Sequence, residues 1–543
     1  MVPPLHSSRD QIVVVGAGPA GLVAAVVFRL AGLKVRVIDK HLGPVVDSRA
    51  ITIHSAMSEY SRTLGLVEEF MAAGIPNPFM DYHFLGEDSV PQLNFDQLKK
   101  WTEFPYVQVI KQSDIEKILR DRLAELGCLV EWGTELTHLD TESDPTAIAA
   151  TVVSSDNEVK VLHPQWLLGC DGVHSTVRRL MGIGFVGNEF PAPLRMTDGV
   201  VQGLEQAGVA KNHIHYFMGH GPEGHGQLLF LSALPDGTER MIISDLTGEG
   251  RSDLTRAAFQ AALDGHFAGR VKLTGCLQPH EFRIGQRIAD AFRDPSGKVF
   301  LLGDSAHCHS IAGGLGLNAA MQDAINLAWK MVMVARGQAR PSLLDTFEPE
   351  RREMAKIVAD TGNAVQAVIM AHKESMAQRL AIADQLNADG AVQRISGVAQ
   401  SYRGNGLNLG VPHLRGLAAG DRAPDVRIRE NTDVRLHSVL SQSYTVLGVQ
   451  CQAHSDTDWA RLATRVDDRL GTSRVQFKLL TRPGFTTAAP NLAEVADSSE
   501  FHGLYGASSA DSLYLLRPDR FIDAYSPAIG QDRILSRLEA VLL

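Results

Sequence analysis

The stretch GDSAHCHSIAGGLGLN, residues 303–318, sets His307 and His309 two apart around Cys308. Taken as ligands, two imidazoles and a thiolate would suit an ion of the zinc class. Taken as part of a loop, they are incidental to Gly313, Gly314 and Gly316, which let backbone approach a flat ring without side-chain clash. The surroundings favour the loop. No set of Asp, Glu or Cys residues at zinc-like spacing accompanies the pair. An apolar strand precedes it and a helix from roughly Ala319 to Arg336 follows, so a helix N-terminus is placed where an anion would sit. No metal is expected here. His307 then fixes the loop by hydrogen bonding, and His309 either caps a turn or faces an active site.

The elements that position such a loop start in QIVVVGAGPAGLVAAVVFRLAGLKVRVIDK, residues 11–40. Gln11 to Val15 has the continuous apolar pattern of a buried parallel strand. Gly16, Gly18 and Gly21 follow, with Ala20 among them, and then comes an Ala/Val/Leu-rich helix to about Leu30. A second strand carries Asp39 and Lys40, and Asp39 stands 18 residues beyond Gly21. This order of strand, glycines, helix, strand and acid predicts a dinucleotide site. Gly16 makes the turn, Gly18 admits the pyrophosphate, Gly21 packs helix on strand, and the Asp39 carboxylate accepts from ribose hydroxyls. A second match, Gly219 to Gly224, is followed by a strand-like segment and is expected to be a loop between strands.

Composition bounds the rest. A chain of 543 residues is too long for one core. Its 52 Lys plus Arg against 62 Asp plus Glu, without a basic block, make nucleic acid or an anionic membrane surface an unexpected partner. The five cysteines lack a CxxC pair, which argues against a disulfide framework and fits a reducing cytoplasm. No signal peptide is visible, and no run of eighteen apolar residues is present to span a bilayer.

Two further strand-ending motifs, Asp171-Gly172 and Gly303-Asp304, join the glycine motif. Together they resemble the fingerprints of the group A FAD-dependent aromatic hydroxylases, single-component flavoprotein monooxygenases. IHYFMG (214–219), MIISDL (241–246) and the HCHS stretch are most similar to the pentachlorophenol and nitrocatechol monooxygenase branches.

The resemblance implies an α/β fold. An FAD-binding Rossmann-like domain of the glutathione reductase type would cover 1–75, 111–185 and 283–375. A substrate-binding antiparallel sheet would cover 76–110 and 186–282, and a helical or linker region 376–414. A thioredoxin-like domain without CxxC would cover 415–543, in a structural or dimer-interface role, so a homodimer is a candidate. It implies FAD, a transient NADPH or NADH, and O2, acting on a small phenol or catechol through a flavin C4a-hydroperoxide, with nitro or halogen displaced from the attacked carbon. Arg49 and Gln112 would contact the pyrophosphate and ribityl region, Asp171 the cofactor near the DG motif, and Asp304 the ribityl hydroxyls. Gly316 and the backbone of Leu317 and Asn318 would face the flavin pyrimidine edge.

Candidates for handling the phenol are Tyr216, Arg240, His215 and His309, with Tyr402 behind them. His213 and His215 share one face of a strand and Ile214 and Tyr216 the other, so only one pair faces a pocket. Relatives carry proline just before the loop glycines where this chain has Ser310 and Ile311, which leaves the loop less restrained. The alternatives are a hydroxylase of another phenolic ring and a catalytically idle FAD-binding protein. A halogenase is discounted because the five tryptophans are far apart.

Overall fold

The computed structural model describes residues 11–45, 49–85, 91–143, 147–189, 193–220, 226–245, 254–283, 285–370, 377–378, 381–382, 384–385, 390–403, 409–410, 416–453, 457–471, 474–486, 490–491, 493–506, 510–527 and 531–542. A five-stranded parallel sheet runs in the order 299–301, 166–169, 12–15, 35–39, 130–132. The Ile12–Val15 strand is buried along its whole length, as its unbroken apolar run requires. The helix Pro19–Leu30 leaves its C-terminal edge with proline in the first turn, where the missing N–H costs nothing.

At the turn between them Gly16 has φ 105°, and a Cβ there would collide with the Cys170 carbonyl oxygen. The glycine motif and the DG motif are therefore packed backbone against backbone. The helix after the GD motif spans Leu315–Ala335 and starts four residues earlier than its sequence pattern suggests, at a left-handed Gly314.

A seven-strand path in an eight-stranded sheet, 272–276, 194–202, 239–245, 226–233, 213–220, 79–84, 92–94, stands beside this domain, with 280–282 paired to 194–202. Two expectations are corrected. The Phe79–Phe84 strand joins this sheet but pairs parallel with His213–His220, so the sheet is not wholly antiparallel. The segment 106–110 does not join it; Val107–Val109 pairs instead with Thr52–Ile53 and Ile75–Asn77 in a three-stranded sheet of its own. Short apolar runs carry no record of their partner, which is why the pattern misassigned it. In the second glycine match, Gly219 and His220 end a strand, and residues 221–224 lie outside the described residues.

The C-terminal unit is a six-stranded mixed sheet in the order 409–410, 522–527, 512–516, 444–449, 475–481, 493–495. Its last hairpin pairs Ser512–Leu516 with Ile522–Pro527, and Cys451 has no second cysteine beside it. The 376–414 region expected to be helical or linker, and the stretch just after it, are packed where described. Ala391, Val392, Ile395 and Tyr402 are buried in one core with the substrate sheet, and Ala418, Ala419, Arg422, Ala423 and Asp425 are buried as well. Glycine and proline there mark bends, not freedom, because Arg422 ends in a buried ion pair with Glu59 of the helix Ser55–Leu64.

Six buried charges lock the units together. Arg351 Nε lies 2.6 Å from Asp323, Lys330 Nζ 2.8 Å from Glu350, and Arg517 within 2.5 Å of both Glu350 and Asp519. Tyr402, a sequence candidate for catalysis, belongs to this lattice; its hydroxyl is 3.0 Å from Arg351 Nη1 and its ring stacks on Phe521. Removing one member strands its partners in a dry interior. Arg517→Met is expected to destabilise by about 3–5 kcal/mol, whereas Arg403→Ala, in a pair 55% exposed on the arginine side, should cost at most about 1 kcal/mol. Calorimetric unfolding of the two variants checks the contrast; equal effects would refute the structural role of the lattice.

Candidate active site

One cavity of about 600 Å³ runs from the glycine motif to the substrate sheet. Its first end is made by Gly18, Ala20, Arg49, Gln112, Cys170, Gly172 and Asp304, and its middle by the loop and first helical turn from Gly314 to Leu317. Its floor is one face of the substrate sheet. Tyr216, Phe230 and Ile242 are direct cross-strand neighbours, and Ile214, Leu228, Met80 and Phe282 extend the apolar surface. Ile369 and Gln366, from the helix Phe347–Met370, close one side.

The cofactor candidates separate into two groups. Gly18, Ala20, Arg49, Gln112, Asp304, Gly316 and Leu317 line the cavity. Gly16, Gly21, Asp39, Lys40, Asp171 and Asn318 do not, and their geometry explains why. Gly16 and Gly21 serve packing: a Cβ on Gly21 would strike the Gly16 carbonyl oxygen. Asp39 accepts a 2.8 Å hydrogen bond from the Ala17 N–H and so closes the glycine turn, and Lys40 beside it is exposed.

Asp171 has one carboxylate oxygen engaged within the fold and the other, Oδ1, buried without a partner among the described residues. Its Oδ2 caps the helix Thr176–Leu180 through the Thr176 and Val177 N–H groups, at 2.6 and 3.1 Å. Asn318 is expected to offer its backbone to the flavin, and its side chain serves the fold. That side chain donates to Thr52 and Gly314 carbonyls and accepts from the His54 N–H, tying the loop to the neighbouring strand.

Of the phenol-handling candidates, Tyr216, Arg240 and His309 line the cavity, and His215 does not. Strand alternation decides this, because His215 must face the opposite side of the sheet from Tyr216. Its Nε2 is bound to the Ala210 carbonyl at 2.8 Å. Arg240 reaches the cavity already neutralised. It pairs with Asp198, its direct cross-strand partner, through two nitrogens at 2.5 and 2.9 Å, and donates from Nη1 to the Arg49 carbonyl at 2.8 Å. It braces the backbone of a cavity-lining arginine and is not a spare cation for a phenolate.

Tyr216 stacks on Tyr82 at 5.1 Å, and burial pushes its hydroxyl up to about 12, with the Gly313 backbone pulling the other way. His309 is held at the end of a relay. His307 Nε2 lies 2.7 Å from Asp323, and His307 Nδ1 lies 2.8 Å from His309 Nε2. The carboxylate accepts from His307 Nε2–H, which makes His307 Nδ1 the acceptor for His309 Nε2–H and leaves His309 Nδ1 a lone pair. That Nδ1 has no protein partner among the described residues, and burial next to His307 drives the imidazole well below its ordinary range.

The loop conformation is steric as well as polar. Gly314 has φ 65°, and a Cβ there would run into the Thr52 side chain. His54, which the sequence did not mark, holds the Gly313 carbonyl through Nε2 at 2.8 Å, and burial lowers its pKa to about 4. Ahead of the loop glycines, Ser310 Oγ bonds Gln366 at 3.1 Å and accepts from the Ala312 N–H.

These residues fit FAD. A Cβ on Gly18, Gly172 or Gly316 would stand in open space, so the backbone leaves a cradle along the cavity. The Asp304 carboxylate opens into that cradle and has no hydrogen-bond partner among the described residues; enclosure pushes its carboxyl up, while His307 and Arg49 pull it down. The first turn of the Leu315–Ala335 helix supplies free N–H groups at the ring end.

The comparisons with known proteins agree. The FAD binding domain family matches residues 9–361, and the HcaD C-terminal domain family matches 423–541. The pentachlorophenol 4-monooxygenase of Sphingobium chlorophenolicum is 31% identical over 550 residues, covering 99% of this chain and 98% of that one. The flavin-dependent monooxygenase PieE, solved with FAD and substrate, superposes with TM-score 0.80 at 18% identity over 98% of this chain and 100% of its own. Aklavinone-11 hydroxylase, solved with FAD and aklavinone, gives 0.78 at 23% identity over 99% and 100%. The two structures show a shared fold. The chain belongs to the FAD-binding-domain family, as an FAD-dependent aromatic monooxygenase. FAD is its cofactor, and O2 and a reduced nicotinamide are its co-substrates. Among the described residues no helix is long and apolar enough to cross a membrane.

Two outcomes follow from this geometry. Arg240→Lys loses the two-pronged pairing with Asp198 and the brace on Arg49, so FAD should be retained at least about 10-fold less tightly, as measured by flavin fluorescence on dilution; unchanged retention would refute the brace.

The second concerns pH. His54, His83 and His266 all sit near 4, chiefly through burial. Folding holds them neutral, so the stability they contribute is complete above pH 6.5 and drains as pH falls toward 4. Asp323 and Glu350, held near 2, add their losses only below the ordinary carboxylate range. Thermal midpoints should therefore fall between pH 6.5 and 4, and His54→Gln should flatten that slope.

Proposed function

We propose that this monooxygenase hydroxylates a substituted phenol or catechol and displaces nitro or halogen from the attacked carbon. The observation that carries this is the joining of the flavin cradle to an apolar floor in a single cavity. That cavity exposes two neutral polar groups, Tyr216 and His309, and a paired arginine. A flat, hydrophobic ring with one polar edge suits it. The likeness to an enzyme named for a chlorinated phenol supports a ring that carries a leaving group.

When bound, FAD takes electrons from the nicotinamide and activates O2. The chain does the remainder. Leu228, Phe230 and Ile242 hold the ring and exclude water. Tyr216 stays protonated at neutral pH and places its hydroxyl for a hydrogen bond with the substrate oxygen. The relay through His307 to Asp323 holds His309 neutral and in one tautomer at the cavity wall, so the phenolic proton leaves to solvent and not to this imidazole. Ionisation makes the carbons ortho and para to the oxygen electron-rich. Oxygen transfer to a carbon bearing nitro then releases nitrite and leaves a quinone, with one NAD(P)H and one O2 consumed and one water formed.

The test is nitrite release from 4-methyl-5-nitrocatechol by the FAD-loaded enzyme, with hydrogen peroxide followed in parallel. One nitrite per reduced nicotinamide establishes displacement. Nicotinamide oxidation yielding only peroxide for every nitro- and halophenol tried would overturn it. Tyr216→Phe should lower kcat/KM by roughly 10- to 100-fold, the worth of a hydrogen bond to a charged group, at unchanged FAD content.

A further inference from the structure

The histidines of the substrate sheet that the cavity leaves unused form a site of their own. The Phe79–Phe84 and His213–His220 strands are parallel neighbours, and each offers two donors at i, i+2 spacing on the face opposite Tyr216. Asp81 and His83 come from the first strand, His213 and His215 from the second, with Asp81 directly across from His215. We propose that Asp81, His83 and His215 bind one divalent ion of the zinc class. This inference is independent of the aromatic substrate.

The geometry is close to that of a coordinated ion. His83 Nε2 and His215 Nδ1 are 3.0 Å apart, His215 Nδ1 and Asp81 Oδ2 3.4 Å, and all three donor atoms lie within 4.8 Å of one another. A tetrahedral zinc ion with bonds near 2.0–2.1 Å separates its ligands by roughly 3.4 Å, and the His83–His215 and His215–Asp81 spacings are within a few tenths of an ångström of that.

The surrounding groups are those that orient metal ligands. His215 Nε2–H donates to the Ala210 carbonyl, which turns the Nδ1 lone pair toward the cluster. Gln92 Nε2 holds Asp81 Oδ1 at 2.7 Å, and His213 Nδ1 lies 2.7 Å from Oδ2.

Charge gives the second reason. Asp81 is 6% exposed. Among the described residues its ion-pairing neighbours are His213 and His215, and no lysine or arginine pairs with it. The titratable groups facing it are His83, His213 and His215 on the two strands, with His266 on the packed helix Arg256–Phe267. A buried carboxylate whose ion-pairing neighbours are imidazoles lacks a permanent counter-charge, and a divalent ion supplies it. Two nitrogens and one oxygen select zinc-class ions over calcium or magnesium, which take oxygen ligands. His213, partly exposed, leaves room for water at the fourth position.

Tag-free, chelator-treated, FAD-loaded full-length protein is titrated with Zn2+, and in parallel with Co2+, whose absorption is read on the long-wavelength side of the flavin bands. The expected result is one ion per chain and a Co2+ spectrum of low-symmetry nitrogen–oxygen coordination. His83→Gln and Asp81→Asn should each weaken binding at least 10-fold, while the exposed His138→Gln leaves it unchanged. The flavin spectrum of each variant reports that it is folded. Substoichiometric uptake by the unsubstituted protein, or stoichiometric uptake that survives both substitutions, overturns the proposal and makes the cluster an ordinary buried histidine–aspartate network.

Discussion

The relay from His309 through His307 to Asp323 does not end at the carboxylate. Asp323 is wholly buried and shares Arg351 with Tyr402, and Asn326 and Glu350 carry the contacts on to Lys330, Arg517 and Asp519. Three acids meet three bases, so the lattice is neutral as a whole although each member is desolvated. Burial alone would push Asp323 and Glu350 up; His307 and Arg351 hold Asp323, and Arg517 and Lys330 hold Glu350, at about 2. Such a lattice gains little net stability over a well-packed apolar core, but it tolerates only one arrangement of its members. A wall of the active site is therefore set by a contact between the nucleotide domain and the last hairpin of the chain.

Much of this was legible in the residues. The glycine motif, the acid after the second strand and the two later strand-ending motifs each carry a local steric or electrostatic requirement, and local requirements survive in sequence. The face of the 213–220 strand could be argued by alternation to one of two pairs, and the structure had only to choose. What the sequence withheld was long-range pairing. The Val107–Val109 run fits either sheet, and only its partners, Thr52–Ile53 and Ile75–Asn77, decide. Arg240 looked like a free cation because Asp198, its partner, is 42 residues away. Asp171 also serves as a helix cap, a role that an acid after a strand does not announce.

Ser310 and Ile311, where the family resemblance implies proline, illustrate a second limit. Sequence predicts a slacker loop, since proline stiffens by covalent restraint. The structure recovers order by other means, with the Ser310 hydroxyl bonded to Gln366, His54 on the Gly313 carbonyl and Asn318 on the Gly314 carbonyl. Two of the three partners, Gln366 and His54, are remote in sequence, so most of the restraint is tertiary.

The 213–220 strand presents Ile214 and Tyr216 to the cavity and imidazoles to the far side from His213 and His215. Inheritance treats such a strand unevenly. Exchanging one side chain for another disturbs one face, but inserting a single residue ahead of Ile214 would trade the faces wholesale, sending histidines under the ring and Tyr216 into the helix-packed side. Inserting two would restore the alternation. Length changes in this segment should therefore be found among descendants in even steps or not at all, a parity constraint imposed by a sheet with a working surface on one face and a charged cluster on the other.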